Sequence, residues 1–170
     1  MTQVTKWFER KFEFSFPVGL YPDLCMRLRG TPARLEEVAR GCPGERMRRA
    51  PQGKWSAQEH AGHLLNLEPL WLARVEDFVA GRSELTVADL SNRSTDEARF
   101  NTHALETILA DFRRARLRMA DRLELLDVEL FARVLEHPRL KVPMRLVDHL
   151  FFVAEHDDHH LAIIWGMIHD

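Results

Sequence analysis

The chain has 170 residues, 45% hydrophobic and 29% charged, which is enough for one domain with a real core and short for two typical ones. Its net charge of -2 and pI near 6.5 give no broad attraction to nucleic acid or to an anionic membrane, so neither is expected as a partner. Cys25 and Cys42 form neither a CxxC nor a zinc-ribbon spacing, the N-terminus lacks a basic-then-apolar leader, and no uncharged apolar run reaches about 18 residues; a soluble cytoplasmic protein is expected.

Phe8 is followed by Phe12, Phe14 and Phe16, the last three alternating with Glu13 and Ser15 before Pro17 closes the run. Period two predicts an extended segment with one apolar side. No second strand-like run is there to pair with it, so it is expected to lie against helices of its own subunit or a neighbour's. From Tyr21 the spacing turns helical, with Leu24, Leu28, Leu35 and Val38 on one stripe. Gly30-Thr31-Pro32 interrupts that stripe and predicts a kink or a restart, with Thr31 as a new N-cap. Gly41 and Pro43 end the helix. Residues 45–53, with Arg46, Arg48 and Arg49, read as a solvated basic loop or an anion-binding rim.

A second helix opens at Trp55-Ser56 with a capping box, Ser56 as N-cap and Glu59 as N3. Leu67, Leu70, Trp71, Val75 and Phe78 carry its inward stripe until Gly81 stops it. Residues 81–101 are polar and aperiodic, long enough to cross the length of a bundle, which predicts that the second and third helices run roughly parallel. In the third helix Leu105, Ile108, Leu109, Phe112, Ala115, Met119 and Leu123 point inward. Arg113, Arg114, Arg116 and Arg118 form an outer face read as solvated. A short helix or turn over 127–136 and a loop between Pro138 and Pro143 lead to a last helix over about 144–168. With no strand ladder and no repeats, the expected fold is all-α with four main helices in a single domain spanning 1–170.

The last helix carries His156 and His160, four residues apart and therefore side by side on one face, the spacing of metal ligands. Hydrogen-bonded core pairs and wet surface pairs share that spacing, so a further ligand is needed. His60 and His63, one turn apart on the second helix, can each face an ion held from the last one.

Trp55, Ser56, Glu59, His63 and Glu68, followed later by His156, His159 and His160, resemble the DinB-like metal-binding superfamily. Residues 27–35 (Arg-Leu-Arg-Gly-Thr-Pro-Ala-Arg-Leu) and His137-Pro138-Arg139-Leu140 are similar to one branch of it, and the likeness covers nearly the whole chain. The resemblance implies a four-helix bundle of antiparallel type with a long crossover between the second and third helices, and a homodimer. It also implies a divalent ion, zinc, nickel or iron, on His63, His156 and His160, and leaves His60, His149 and His159 without a role. Geometry agrees on His159, about 100° around the helix from His160. Asn66 and His149 fall on site-facing stripes, and Glu59, Asp157 and Asp158 are either acceptors orienting the imidazoles or a cap and solvated carboxylates.

Three neutral imidazoles leave an ion its full charge and an open position. The characterised branches imply a transferase or isomerase using a low-molecular-weight thiol on a small-molecule substrate. The alternatives are a metal-dependent hydrolase with Glu59 as the nearest base, or a non-catalytic metal-binding stress-response protein. Arg46 to Arg49 entering the cleft favours the thiol; an apolar pocket reached by Glu59 favours hydrolysis; a filled fourth position favours the last.

Overall fold

The computed structural model describes residues 4–169. Four long helices, α1 (Tyr21–Ala39), α3 (Ala57–Ala80), α5 (Leu105–Glu124) and α6 (Leu146–His169), pack together; the short α2 (Gly44–Arg48) and α4 (Arg93–Ala98) lie in connections. Among the described residues no helix is long and apolar enough to cross a membrane.

Each long helix carries apolar residues above and below one polar position. Leu28 and Leu35 flank Thr31 on α1, Leu64 and Trp71 flank Glu68 on α3, Phe112 and Met119 flank Arg116 on α5, and Val153 and Leu161 flank Asp157 on α6. The core is thus two apolar clusters separated by a buried polar layer. Arg116, fully buried, bonds Glu68 at 2.6 Å and Asp157 at 3.1 Å, and Thr31 donates its hydroxyl to Asp157 at 2.8 Å. Arg116 therefore does not belong to the solvated arginine face that its position beside Arg113 and Arg114 predicts.

The same guanidinium explains why α1 runs unbroken through Pro32, with no restart and no capping role for Thr31. A proline leaves the carbonyl four residues earlier without its helical donor. Here that carbonyl is Leu28, and Arg116 Nη1 donates to it at 3.3 Å.

The α3 start is the expected capping box: Glu59 N donates to Ser56 Oγ and Ser56 N to the Glu59 carboxylate. Gly81 ends the helix at φ 64°, a left-handed conformation that costs a glycine least. Gly62 is required by packing, since a Cβ there would stand 2.2 Å from the Phe100 ring.

The expectation of no strands needs correcting. β1 (Val134–Glu136) and β2 (Pro143–Arg145) form an antiparallel hairpin pairing Leu135 with Met144, both buried, where the sequence reads as turn and loop. Three-residue strands are too short to display a period. From Arg10 to Pro17 the N-terminal segment does lie extended against helices of its own chain, with Phe12, Phe14 and Phe16 half-buried and the intervening residues exposed, but Trp7–Glu9 form a 3-10 turn that leaves Phe8 exposed. Arg145 Nη2 donates to the Phe14 and Phe16 carbonyls at 3.2 and 3.0 Å, in place of a strand partner.

Arg116→Met is expected to leave Glu68 and Asp157 buried without their cation and to lower the unfolding free energy by about 3–5 kcal/mol. Urea denaturation followed by circular dichroism measures this, and a loss under about 1 kcal/mol would show that the polar layer does not hold the helices as described.

Candidate metal centre

On α6, His156 and His160 project from one face toward α3, and their Nε2 atoms stand 3.2 Å apart. His63, near the start of α3, completes a buried cluster in which one ring nitrogen from each histidine lies within 4.8 Å of the others. Two nitrogens sharing a tetrahedral ion with bonds of about 2.0–2.1 Å are roughly 3.3 Å apart, so the His156–His160 separation fits a shared divalent ion.

For His63 and His160 the Nδ1 atoms have partners that would leave Nε2 available to an ion. His63 Nδ1 lies 3.0 Å from Thr95 Oγ1; with His63 donating, its Nε2 is bare. Asn66 also donates to that hydroxyl at 3.5 Å, so its site-facing stripe serves Thr95 and not the imidazole directly. His160 Nδ1 meets His60 Nδ1 at 2.8 Å; with His160 donating, its Nε2 is free and His60 becomes a positioning residue. His156 Nδ1 is buried with no hydrogen-bond partner, its ring held edge-on by Trp7 and Trp71 with centroids 4.9 and 5.6 Å away.

None of the carboxylates expected as acceptors reaches an imidazole. Glu59 is spent on the cap. Asp157 is buried against Arg116 and Thr31, and Asp158, still partly exposed, pairs with Arg27 and Arg34. Glu155 binds Arg27 at 2.7 Å and also Arg10. The residues flanking His156 are thus anchored to α1, α5 and the N-terminal segment. His149 is fully buried between Trp71 and Phe78, with both ring nitrogens unpartnered. His159 lies beside His160, ring centroids 5.1 Å apart, outside the ligating cluster.

Thr95 and Trp7 are the functional neighbours that sequence spacing does not reveal, whereas His60 faces the site as its place one turn before His63 predicts. Thr95 reaches His63 because α4 folds back over α3, where Trp55 Nε1 donates to Asp96 at 2.8 Å. No fixed offset in the sequence signals that contact.

Burial keeps these imidazoles neutral, the form that binds metal. It pushes His63 down to about 4, against the opposing pull of Asp96, and His60 down to about 4, helped by His63 and His159. His156 and His160 are lowered well below the usual range by burial and by neighbouring imidazoles. The cluster opens on a cavity of about 240 Å³ whose wall includes Trp7, Trp55, Trp71, Phe152, Arg74 and Arg139. Neither Glu59 nor Arg46, Arg48 and Arg49 line it; Arg46 donates instead to the Ile168 carbonyl at 2.9 Å.

The family model of the DinB superfamily matches residues 27–164. No curated protein sequence matches the chain. Among solved structures, YfiT from Bacillus subtilis, described as a probable metal-dependent hydrolase with an unusual four-helix bundle topology, superposes with a TM-score of 0.80 at 20% identity. That match covers 94% of this chain and 91% of YfiT, and it shows the fold as that of a four-helix bundle.

The buried neutral histidines set a pH dependence. An unfolded histidine takes its proton near 6.5, whereas folded His60 and His63 do so only near 4. Between those values the unfolded chain binds more protons, so stability present above 6.5 falls as pH drops toward 4. The metal-free protein is expected to lose roughly 1.5 kcal/mol for each such histidine between about pH 6.5 and about pH 5. Urea midpoints unchanged across that window would mean these imidazoles are charged or exposed.

Proposed function

Because the chain belongs to the DinB superfamily, we propose that it binds one divalent metal ion through His63, His156 and His160 and hydrolyses a small substrate there. The observation that carries the proposal is the convergence of neutral, buried imidazoles, with two Nε2 atoms 3.2 Å apart, on a cavity open to a ligand. Zinc, nickel and iron all accept three imidazoles. A divalent ion in that donor set supplies Lewis acidity and makes water a nucleophile near neutral pH.

The chain's own residues do the rest. Thr95 and His60 fix the rings of His63 and His160, and Trp7 and Trp71 pack His156 and limit water in the cavity. His159, on the cavity wall with Nδ1 unpartnered, replaces Glu59 as the group placed to take a proton from attacking water. The likeness to YfiT, described as a probable metal-dependent hydrolase, supports this choice.

The thiol-dependent transferase or isomerase is the second reading. Arginines in the cavity favour it, since thiol cofactors carry carboxylates, but they are Arg74 and Arg139 and not the 45–53 loop. The cavity of about 240 Å³ lies below the roughly 300–1,000 Å³ usual for drug-sized ligands, which favours a small substrate over an enclosed cofactor.

The proposal includes a single cytoplasmic domain over 1–170, paired as a homodimer. It also includes a crossover by residues 81–104. Gln58, at the start of α3, donates to the Phe100 and His103 carbonyls just ahead of α5, and the pairs Glu68–Arg116 and Glu76–Arg122 run in step, which supports parallel α3 and α5.

Metal analysis of the purified protein is expected to give one divalent ion per chain, lost in His156→Ala. His60→Ala should keep the ion but weaken its affinity by about 10- to 100-fold. Wild-type metal content in His156→Ala would sink the assignment. The zinc-loaded protein should cleave a small activated ester without added thiol, and added thiol should inhibit; activity only in the presence of thiol would establish the second reading.

A further inference from the structure

Beyond the histidines, the cavity wall holds two cations with no anion. Arg74 is 2% exposed; its Nε donates to the Thr86 carbonyl at 2.9 Å, and no carboxylate bonds it. Asp77, one turn away, is spent on Thr86 and Arg82, and Asp89, also on the wall, on Ser91 and the Arg93 amide. Arg116, the other buried guanidinium, has two carboxylates. Arg139 packs against Phe8 and Phe152, its guanidinium carbon 5.2 and 5.9 Å from the ring centroids, and its Nη2 is buried with no partner.

His137 sharpens the anomaly. Its Nδ1 accepts from the amides of Leu140 and Arg139 at 3.1 and 3.3 Å, which puts the ring proton on Nε2. That N–H then faces Arg74 Nη1 at 3.3 Å, donor against donor. Only an acceptor lying against both satisfies such a pair. Trp71 Nε1 is a further buried donor without a partner, and its ring stands between Arg74 and His156, at 5.5 and 5.6 Å.

We infer that Arg74, Arg139 and His137 form a binding site for the carboxylate of a small, largely apolar organic acid, whose other end lies along Trp71 toward His63, His156 and His160. A planar guanidinium matches a carboxylate bidentately, and the aromatic wall suits the body that carries it. Arg74 keeps its charge at neutral pH although burial, opposed by Asp77, pulls it down to about 10. Burial and the two arginines hold His137 neutral, down to about 3. The anion site stands on these residues alone; that its ligand is the molecule hydrolysed rests on the proposed function.

Isothermal titration of the full, metal-stripped chain with benzoate and with its neutral isostere benzamide tests the site without the metal. Benzoate is expected to bind at least about tenfold more tightly than benzamide. Arg139→Gln, at a partly exposed residue, should remove about tenfold of that preference, and Arg74→Lys a similar or larger factor, with the folding of both variants checked by circular dichroism. Equal binding of acid and amide, or benzoate affinity unchanged in Arg139→Gln, overturns the proposal. Phenyl phosphate binding more tightly than benzoate overturns the carboxylate assignment. Benzoate bound as expected by a protein that holds no metal or hydrolyses nothing would remove the hydrolase reading and leave this site standing.

Discussion

The guanidinium of Arg116 is the contact on which the rest of the structure depends. It lies at zero exposure, bonds Glu68 on α3 and Asp157 on α6, and accepts responsibility for the Leu28 carbonyl that Pro32 leaves free on α1. Burial alone would pull an arginine's pKa down; Asp157 and Glu68 more than reverse this and hold it above its ordinary value. A cation so placed stabilises little relative to an apolar core, but it specifies one alignment, because its partners can be satisfied only with all four long helices in register.

That alignment is what assembles the histidines. Asp157 follows His156 directly, and Glu68 lies five residues past His63, so the salt bridges that position the carboxylates also set the imidazoles opposite one another. The arginines bound to Glu155 and Asp158 fix the same turn of α6 from its other side. The site therefore sits in the most constrained part of the bundle, where burying neutral imidazoles costs stability in acid and leaves them in the form that a metal ion would need.

Features encoded locally were legible in the sequence. The Ser56–Glu59 box and Gly81 mark the ends of α3 because each acts within one helical turn, and the four-residue spacing of His156 and His160 predicts their shared face. The Phe12–Phe16 alternation predicts its half-buried pattern. Features set by tertiary contact were not legible. Arg116 sits among other arginines, and only Glu68 and Asp157, distant in sequence, draw it inward. Pro32 looks like a helix break until a side chain from α5 supplies the missing donor. Thr95 and Trp7 reach the site through packing, and the hairpin is too short to show alternation; His60, one turn before His63, was legible from helical spacing.

The central claim is that three imidazoles, and no other side chains, hold one divalent ion. X-ray absorption at the zinc edge of the loaded protein tests it most directly. The account predicts a first shell of light atoms at about 2.0–2.1 Å, with outer scattering from three imidazole rings. A sulfur scatterer near 2.3 Å in protein free of added thiol, or scattering from fewer than three rings, would contradict it.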